Sequence, residues 1–252
     1  MNTIKRALIV FAHPDPQSYT AALKDAAVAE LEAAGVEVTV SDLYAMGFAA
    51  VAGPDDVTQR LSEEHFNLAL EQGNALAKGA LAPEIVAEQD KLRAADLVIF
   101  QFPMWWFGFP AILKGWVDRV LSYKFAYGVG EWWDKGPFRD KRAMVAVTTG
   151  TPRSAYSSDG RNGDIERILW STEAGVLAIC GFQVVPAFIA YGAPWIGDEG
   201  RAAQIAAYRR AVAGAGSAKP KFFHPLADFS EDMRLKPEVE PRTAGQHRDG
   251  AN

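Results

Sequence analysis

The sequence predicts a doubly wound α/β fold, with one parallel sheet of five strands ordered 2-1-3-4-5, helices on both faces and a C-terminal extension. Two observations carry this expectation. Short, continuous apolar runs recur along the chain, as strands covered on both faces require. Each run is separated from the next by segments with helical spacing, and strands that alternate with helices pair in parallel.

The elements follow in order. Arg6 to Ala12 is the first apolar run. Ser18 to Ala34, rich in Ala, Leu and Glu, has helical spacing, with Ser18 as N-cap and Gly35 as C-cap. Val36 to Val40 is the second strand, and residues 43–57, with Gly and Pro, form a loop. Helices are expected over Ser62–Lys78 and Pro83–Ala95, and Pro83 suits a first helical turn. Leu97–Phe102 is the third strand and Pro110–Ser122 a helix. Ala143–Thr148 is the fourth strand, Asp164–Ile179 a helix, Phe182–Ile189 the fifth strand and Gly200–Val212 the last helix. Residues 1–214 thus form one domain. Residues 215–252 turn polar, proline-bearing and aperiodic, and read as a partly irregular arm.

Composition narrows the possible functions. A chain of 252 residues, 49% hydrophobic, can bury a full core. Its net charge of −5 argues against nucleic acid or an anionic membrane surface as partner. The single cysteine, Cys180, excludes an intrachain disulfide and points to a reducing compartment, so the cytoplasm is expected. No apolar run approaches the roughly 18 residues of a membrane span. The run before His13-Pro14 is too short for a signal peptide. The four histidines lack metal-ligand spacing, so no metal is expected. Cys180, in an apolar segment, reads as an inert core residue.

In sheets of this kind ligands bind outside the carboxyl ends of the strands, at the point where strand order reverses. That singles out residues 12–20, 103–109 and 149–163. The first loop contains His13, Ser18, Tyr19 and Thr20 and leads into a helix N-terminus, where free N–H groups and the dipole favour a phosphate. It lacks the glycines of a GxGxxG dinucleotide site or a Walker loop. Simple capping by Ser18 accounts for its hydroxyl equally well. The second loop, Pro103-Met104-Trp105-Trp106-Phe107-Gly108-Phe109, sets aromatics between prolines. This makes a flat-walled platform for stacking a tricyclic ring, or else a hydrophobic subunit contact. Gly108 is expected to supply its sharp turn. The third loop holds Thr148, Thr149, Gly150 and Thr151, then Tyr156, Arg161 and Asn162. Its small residues let backbone N–H groups approach a polar heterocycle. The Tyr156 hydroxyl is suited to donate to a ring carbonyl, with packing as its alternative role.

At these loops the chain resembles the NAD(P)H:quinone oxidoreductase (DT-diaphorase) family, which has the flavodoxin-like fold. The resemblance runs from about Arg6 to Arg210. It includes Ser41-Asp42-Leu43-Tyr44-Ala45-Met46, Ala95 through Pro103, Pro110 through Trp116, and Asp134-Lys135-Gly136-Pro137-Phe138-Arg139. It implies FAD rather than FMN, NADH or NADPH as co-substrate, a quinone-like acceptor, an obligate homodimer and two-electron ping-pong hydride transfer. It implies FAD contacts at His13, Ser18, Tyr19, Thr20, Asn67, Pro103 to Phe107, Thr148 to Thr151, Tyr156 and Arg201. It implies a substrate pocket of Trp106, Phe107, Tyr127, Gly128 and Gly150, with Tyr127 projecting from the partner subunit.

The departures matter as well. Where the family pairs its active-site tyrosine with a histidine six residues on, this chain has Asn162, which donates but cannot accept a proton. Either Tyr156 suffices alone, or Arg161 supplies the positive charge that the reduced flavin wants, or the preferred acceptor differs; of these Arg161 is favoured. Thr151 stands where a second glycine is usual, and Val129 where an aromatic is. An FMN-dependent azoreductase or nitroreductase, a flavodoxin-type electron carrier, and a regulatory flavoprotein subunit of a membrane transporter are the rival readings.

Overall fold

The computed structural model describes residues 4–247; the first residues of the expected domain, 1–3, and the end of the expected arm, 248–252, lie outside the described residues. β1 (Arg6–Phe11), β2 (Glu37–Asp42), β3 (Leu97–Pro103), β4 (Arg142–Thr148) and β5 (Gln183–Val184) form a sheet ordered β2-β1-β3-β4-β5. β6 (Phe188–Ala190) also pairs with β4, and every pairing is parallel. The fold class and strand order are those expected. The fifth strand differs, because the expected run over Phe182–Ile189 is two short strands. Pro186 lies in the gap and has no N–H for the ladder.

The strands alternate with α1 (Tyr19–Ala33), α2 (Leu68–Lys78), α3 (Pro83–Ala94), α4 (Ala111–Val120), α5 (Ile165–Thr172) and α6 (Gly197–Gly214). Every residue of β3 and β4 is buried, so these strands take apolar side chains on both faces. Their alternation divides the core. Val98, Phe100 and Val145 pack with Leu92 of α3, Trp116 of α4 and Leu169 of α5. Ile99, Met144 and Ala146 pack with Leu23 and Ala27 of α1 and Tyr208 and Val212 of α6.

Other boundaries moved for local reasons. α2 starts at Leu68 rather than Ser62. The buried Glu71 carboxylate accepts from Arg60 Nε (2.9 Å) and the Leu61 N–H (2.6 Å), tying that segment outside the helix. Asn67 then caps α2. Ala34 takes the C-cap of α1, and Gly35 follows it at φ 78°. The helix expected over Asp164–Ile179 is α5 followed by a π-helical stretch, Glu173–Ala178. Cys180 is buried, and burial pushes its thiol up to about 12, which keeps it protonated and unreactive.

Beyond α6 the described residues are irregular apart from a short turn, Leu226–Asp228, and a β-bridge between Phe229 and Leu235. They are nonetheless fastened to the body. Lys221 bridges Glu166 and Glu173, the Leu226 N–H donates to Asp134 (2.8 Å), and the Phe223 ring lies 5.8 Å from Trp170. Among the described residues no helix is long and apolar enough to cross a membrane.

Candidate functional site

Turns from the carboxyl ends of β1, β3 and β4 meet around one cavity of about 210 Å³. The first turn contributes His13, Ser18, Tyr19 and Thr20; the second contributes Pro103, Met104 and Trp105; the third contributes Thr148, Thr149 and Gly150. This is the switch point of the sheet, where β1 is flanked by β2 and β3.

In the first turn Ser18 is a true N-cap: its Oγ accepts from the Ala21 N–H at 3.1 Å. The N–H groups of Tyr19 and Thr20 have no partner among the described residues. They stand free at the positive end of α1, so the Ser18 cap leaves N–H groups that an anion could take. His13 is held by one edge, its Nδ1 lying 3.0 Å from Asp15 N and 3.1 Å from Asp15 O. Thr20 Oγ1 and Thr148 Oγ1 share a buried hydrogen bond of 2.8 Å that ties the first turn to the third. The Tyr19 hydroxyl donates to Gln204 Oε1 at 3.0 Å, and burial pushes its phenol up to about 12, so it stays a donor.

The second turn corrects the expectation for Gly108. The Gly108 N–H donates to Trp105 O at 3.0 Å, and positive φ falls on Trp106 (50°) and Phe107 (61°). That is a type I′ geometry, which favours Asn and Gly. Bulky residues held there cost about 1–3 kcal/mol each. Both strained side chains are open to solvent: Trp106 is 99% exposed and Phe107 51%. Replacing Trp106 by Asn together with Phe107 by Gly is therefore expected to raise the melting temperature of the ligand-free chain while weakening, at least tenfold, the binding of the flavin that the family resemblance implies. Calorimetry and equilibrium dialysis check the two halves, and a lower melting temperature refutes the strain argument.

In the third turn the two departures from the family pattern touch: Asn162 Nδ2 donates to Thr151 Oγ1 at 3.0 Å. Thr149 Oγ1 donates to Thr151 O at 2.9 Å. Tyr156 is buried to 8% exposure with its ring 5.7 Å from Tyr191, and its hydroxyl has no partner among the described residues. Arg161 is exposed and makes no ion pair among the described residues.

Some expected residues lie elsewhere. Arg201 lines a larger cavity of about 630 Å³ that shares Ser18, Tyr19, Ala193 and Pro194 with the first. Its guanidinium donates to Ala193 O (3.1 Å) and Asp198 (2.6 Å). Asn67, Tyr127 and Gly128 do not line either cavity. Asn67 is exposed and its Oδ1 accepts from the Leu70 N–H at 3.1 Å. Tyr127 lines a separate apolar cavity of about 330 Å³ with Leu68, Val117 and Ile179. Burial there raises its phenol above the ordinary range. Gly128 sits in the adjoining turn, exchanging hydrogen bonds with Glu131.

Residues 191–195 were missed. Ala193 and Pro194 line both upper cavities, and Tyr191 packs on Tyr156. The usable signal was position: Tyr191-Gly192-Ala193-Pro194-Trp195 leaves the carboxyl end of β6, as the other site turns leave β1, β3 and β4.

Residues 5–214 match the model of a family described as having the flavodoxin-like fold. NAD(P)H dehydrogenase [quinone] 1 of Rattus norvegicus is 42% identical over 242 residues, spanning 94% of this chain and 88% of that protein. Ribosyldihydronicotinamide dehydrogenase [quinone] of Homo sapiens is 44% identical over 205 residues, 81% of this chain and 89% of the relative. A crystal structure of a presumed quinone reductase from Klebsiella pneumoniae superposes with a TM-score of 0.91 at 38% identity, covering 96% of this chain and 98% of that one. With this fold, these turns and these relatives, the chain belongs to the NAD(P)H:quinone oxidoreductase family of flavodoxin-like proteins.

Proposed function

We propose that this protein is a flavin-dependent oxidoreductase that passes hydride from NADH or NADPH to quinone-like acceptors, with FAD as its flavin and a homodimer as its working form. One observation carries the reading. The free N–H groups of Tyr19 and Thr20 at a helix N-terminus, the unpartnered backbone N–H of Gly150 and Trp105 of the aromatic turn line a single cavity.

These residues fit a flavin. Tyr19 and Thr20 present their N–H groups to a phosphate. Trp105, Trp106 and Phe107 supply flat surfaces for a ring system. Gly150, Thr151 and Tyr156 supply neutral donors for its polar edge. When bound, the flavin supplies the hydride chemistry itself. The protein binds, orients and excludes water. FAD is favoured over FMN because the cavity continues past Ser18 and Tyr19 into the 630 Å³ space beside Arg201, room for an adenosine half. A homodimer is favoured because Tyr127 and Gly128, which the family resemblance assigns to the substrate pocket, lie away from the chain's own cavity. A reducing cytoplasm suits the single buried thiol.

Extracting the flavin, identifying it and mixing the reconstituted protein with NADH and NADPH in a stopped-flow instrument tests the reading, with light scattering for the dimer. FAD, rapid bleaching of its visible absorbance and a mass of two chains are expected. A chain that takes up neither FAD nor FMN overturns the reading.

A further inference from the structure

Trp195 is 79% exposed, yet its Nε1–H donates to Gly150 O at 2.9 Å. The carbonyls of the third turn are all engaged. Thr148 O accepts from the Met104 N–H (2.9 Å), Thr149 O from the Ala193 N–H (3.0 Å) and Thr151 O from Thr149 Oγ1 (2.9 Å). The N–H groups of Gly150 and Thr151 have no partner among the described residues. In a trans peptide the C=O and N–H point in opposite directions. Ala193, by holding Thr149 O, therefore orients the Gly150 N–H, and Trp195, by holding Gly150 O, orients the Thr151 N–H. Both carbonyls are held by the loop after β6, and Gly150 faces the cavity.

The two peptides differ in how much they need this. Thr149 is β-branched and its hydroxyl is engaged, but Gly150 has no side chain. A Cβ built at Gly150 meets nothing within 4 Å, so no neighbouring atom packs on its α-carbon and ψ at Gly150 is free of side-chain restraint. Glycine gives that peptide freedom to rotate. Thr149 Oγ1 and Asn162 Nδ2 hold Thr151, and the hydrogen bond from Trp195 is the one that holds the carbonyl of this peptide itself.

We infer that Trp195 is a positioning residue that locks the Gly150–Thr151 peptide against flipping, so that the Thr151 N–H rather than the Gly150 carbonyl faces the bound flavin. The inference rests on the flavin reading above. A donor at that edge stabilises the electron-rich reduced ring, and a carbonyl in its place repels it. Trp195 thereby helps set the reduction potential without touching the reacting atoms.

Trp195→Phe keeps an aromatic ring and removes the donor. Because the indole is largely exposed, the flavin-free variant is expected to melt as the wild type does. Its bound flavin is expected to hold the reduced state at least tenfold less tightly relative to the oxidised state, a fall of about 30 mV in the two-electron potential. Adding Gly150→Ala in that background restricts the freed peptide and is expected to restore part of the potential. An unchanged potential in Trp195→Phe overturns the inference while leaving flavin binding intact. A fall that Gly150→Ala fails to restore overturns the peptide lock. A wild-type chain that binds no flavin overturns the functional reading first, and this one with it.

Discussion

Replacing Arg119 by Met is expected to lower the unfolding free energy by about 3–5 kcal/mol, the usual cost of stranding one charge of a buried pair. Arg119 and Asp56 have side-chain exposures of 3% and 2%, with Nε 2.8 Å from the carboxylate. The guanidinium also donates to Ala49 O (2.7 Å) and pairs with Glu84. Without it the Asp56 carboxylate keeps only a long contact of 3.3 Å from the Gly53 N–H, too little to offset its lost hydration. At about 2–4 °C per kcal/mol for chains of this size, the melting temperature should fall by roughly 6–20 °C. The pair joins the 49–56 segment to α4, which begins directly after the aromatic turn. Gly115 of α4 lies so close to that segment that a Cβ would sit 2.0 Å from Ala50 O. Losing the pair should therefore loosen the rear attachment of the turn and weaken flavin binding as well. Restoring a neutral pair with Arg119→Met and Asp56→Leu should recover most of the stability. A single-variant shift below 3 °C would mean that the carboxylate finds another partner.

This clamp shows what a sequence hides. Asp56 and Arg119 are far apart in the chain, and Pro54-Asp55-Asp56 reads as a polar loop. Only the folded structure buries Asp56, while Pro54 and Asp55 stay exposed. The sheet was legible because β1, β3 and β4 are dense apolar runs bounded by turn residues and β2 alternates apolar with polar, patterns that carry the information locally. The Ser18 cap of α1 was legible for the same reason, since Ser18 and the helix after it are neighbours in sequence. The hydrogen bond between Thr151 and Asn162 was not, although both positions stood out one at a time. Nor was the role of Gly108. The type I′ turn places its positive φ on Trp106 and Phe107, and propensity argues against such residues there. The failure is informative, since local preference is overridden where an exposed aromatic surface is held in place.

Replacing Tyr156 by Phe is expected to slow flavin reduction by NADH or NADPH by about 10²-fold, the effect of deleting one preorganised donor beside developing negative charge. Three groups near the turn are candidates for that role. Asn162 has committed its amide nitrogen to Thr151 and its backbone N–H to Ala155 O (2.8 Å), so it orients the turn. Arg161 is exposed, where solvent and salt screen its charge. Tyr156 alone is both buried and uncommitted, its ring fixed against Tyr191 while its hydroxyl awaits a partner. Removing that hydroxyl deletes a donor without disturbing packing, so flavin content and melting temperature should stay near wild type. Arg161→Gln should slow the same step less than tenfold. Stopped-flow reduction of the three proteins decides the assignment. If Tyr156→Phe turns over normally and Arg161→Gln does not, the stabilising charge comes from the exposed guanidinium, and burial was the wrong criterion for choosing between them.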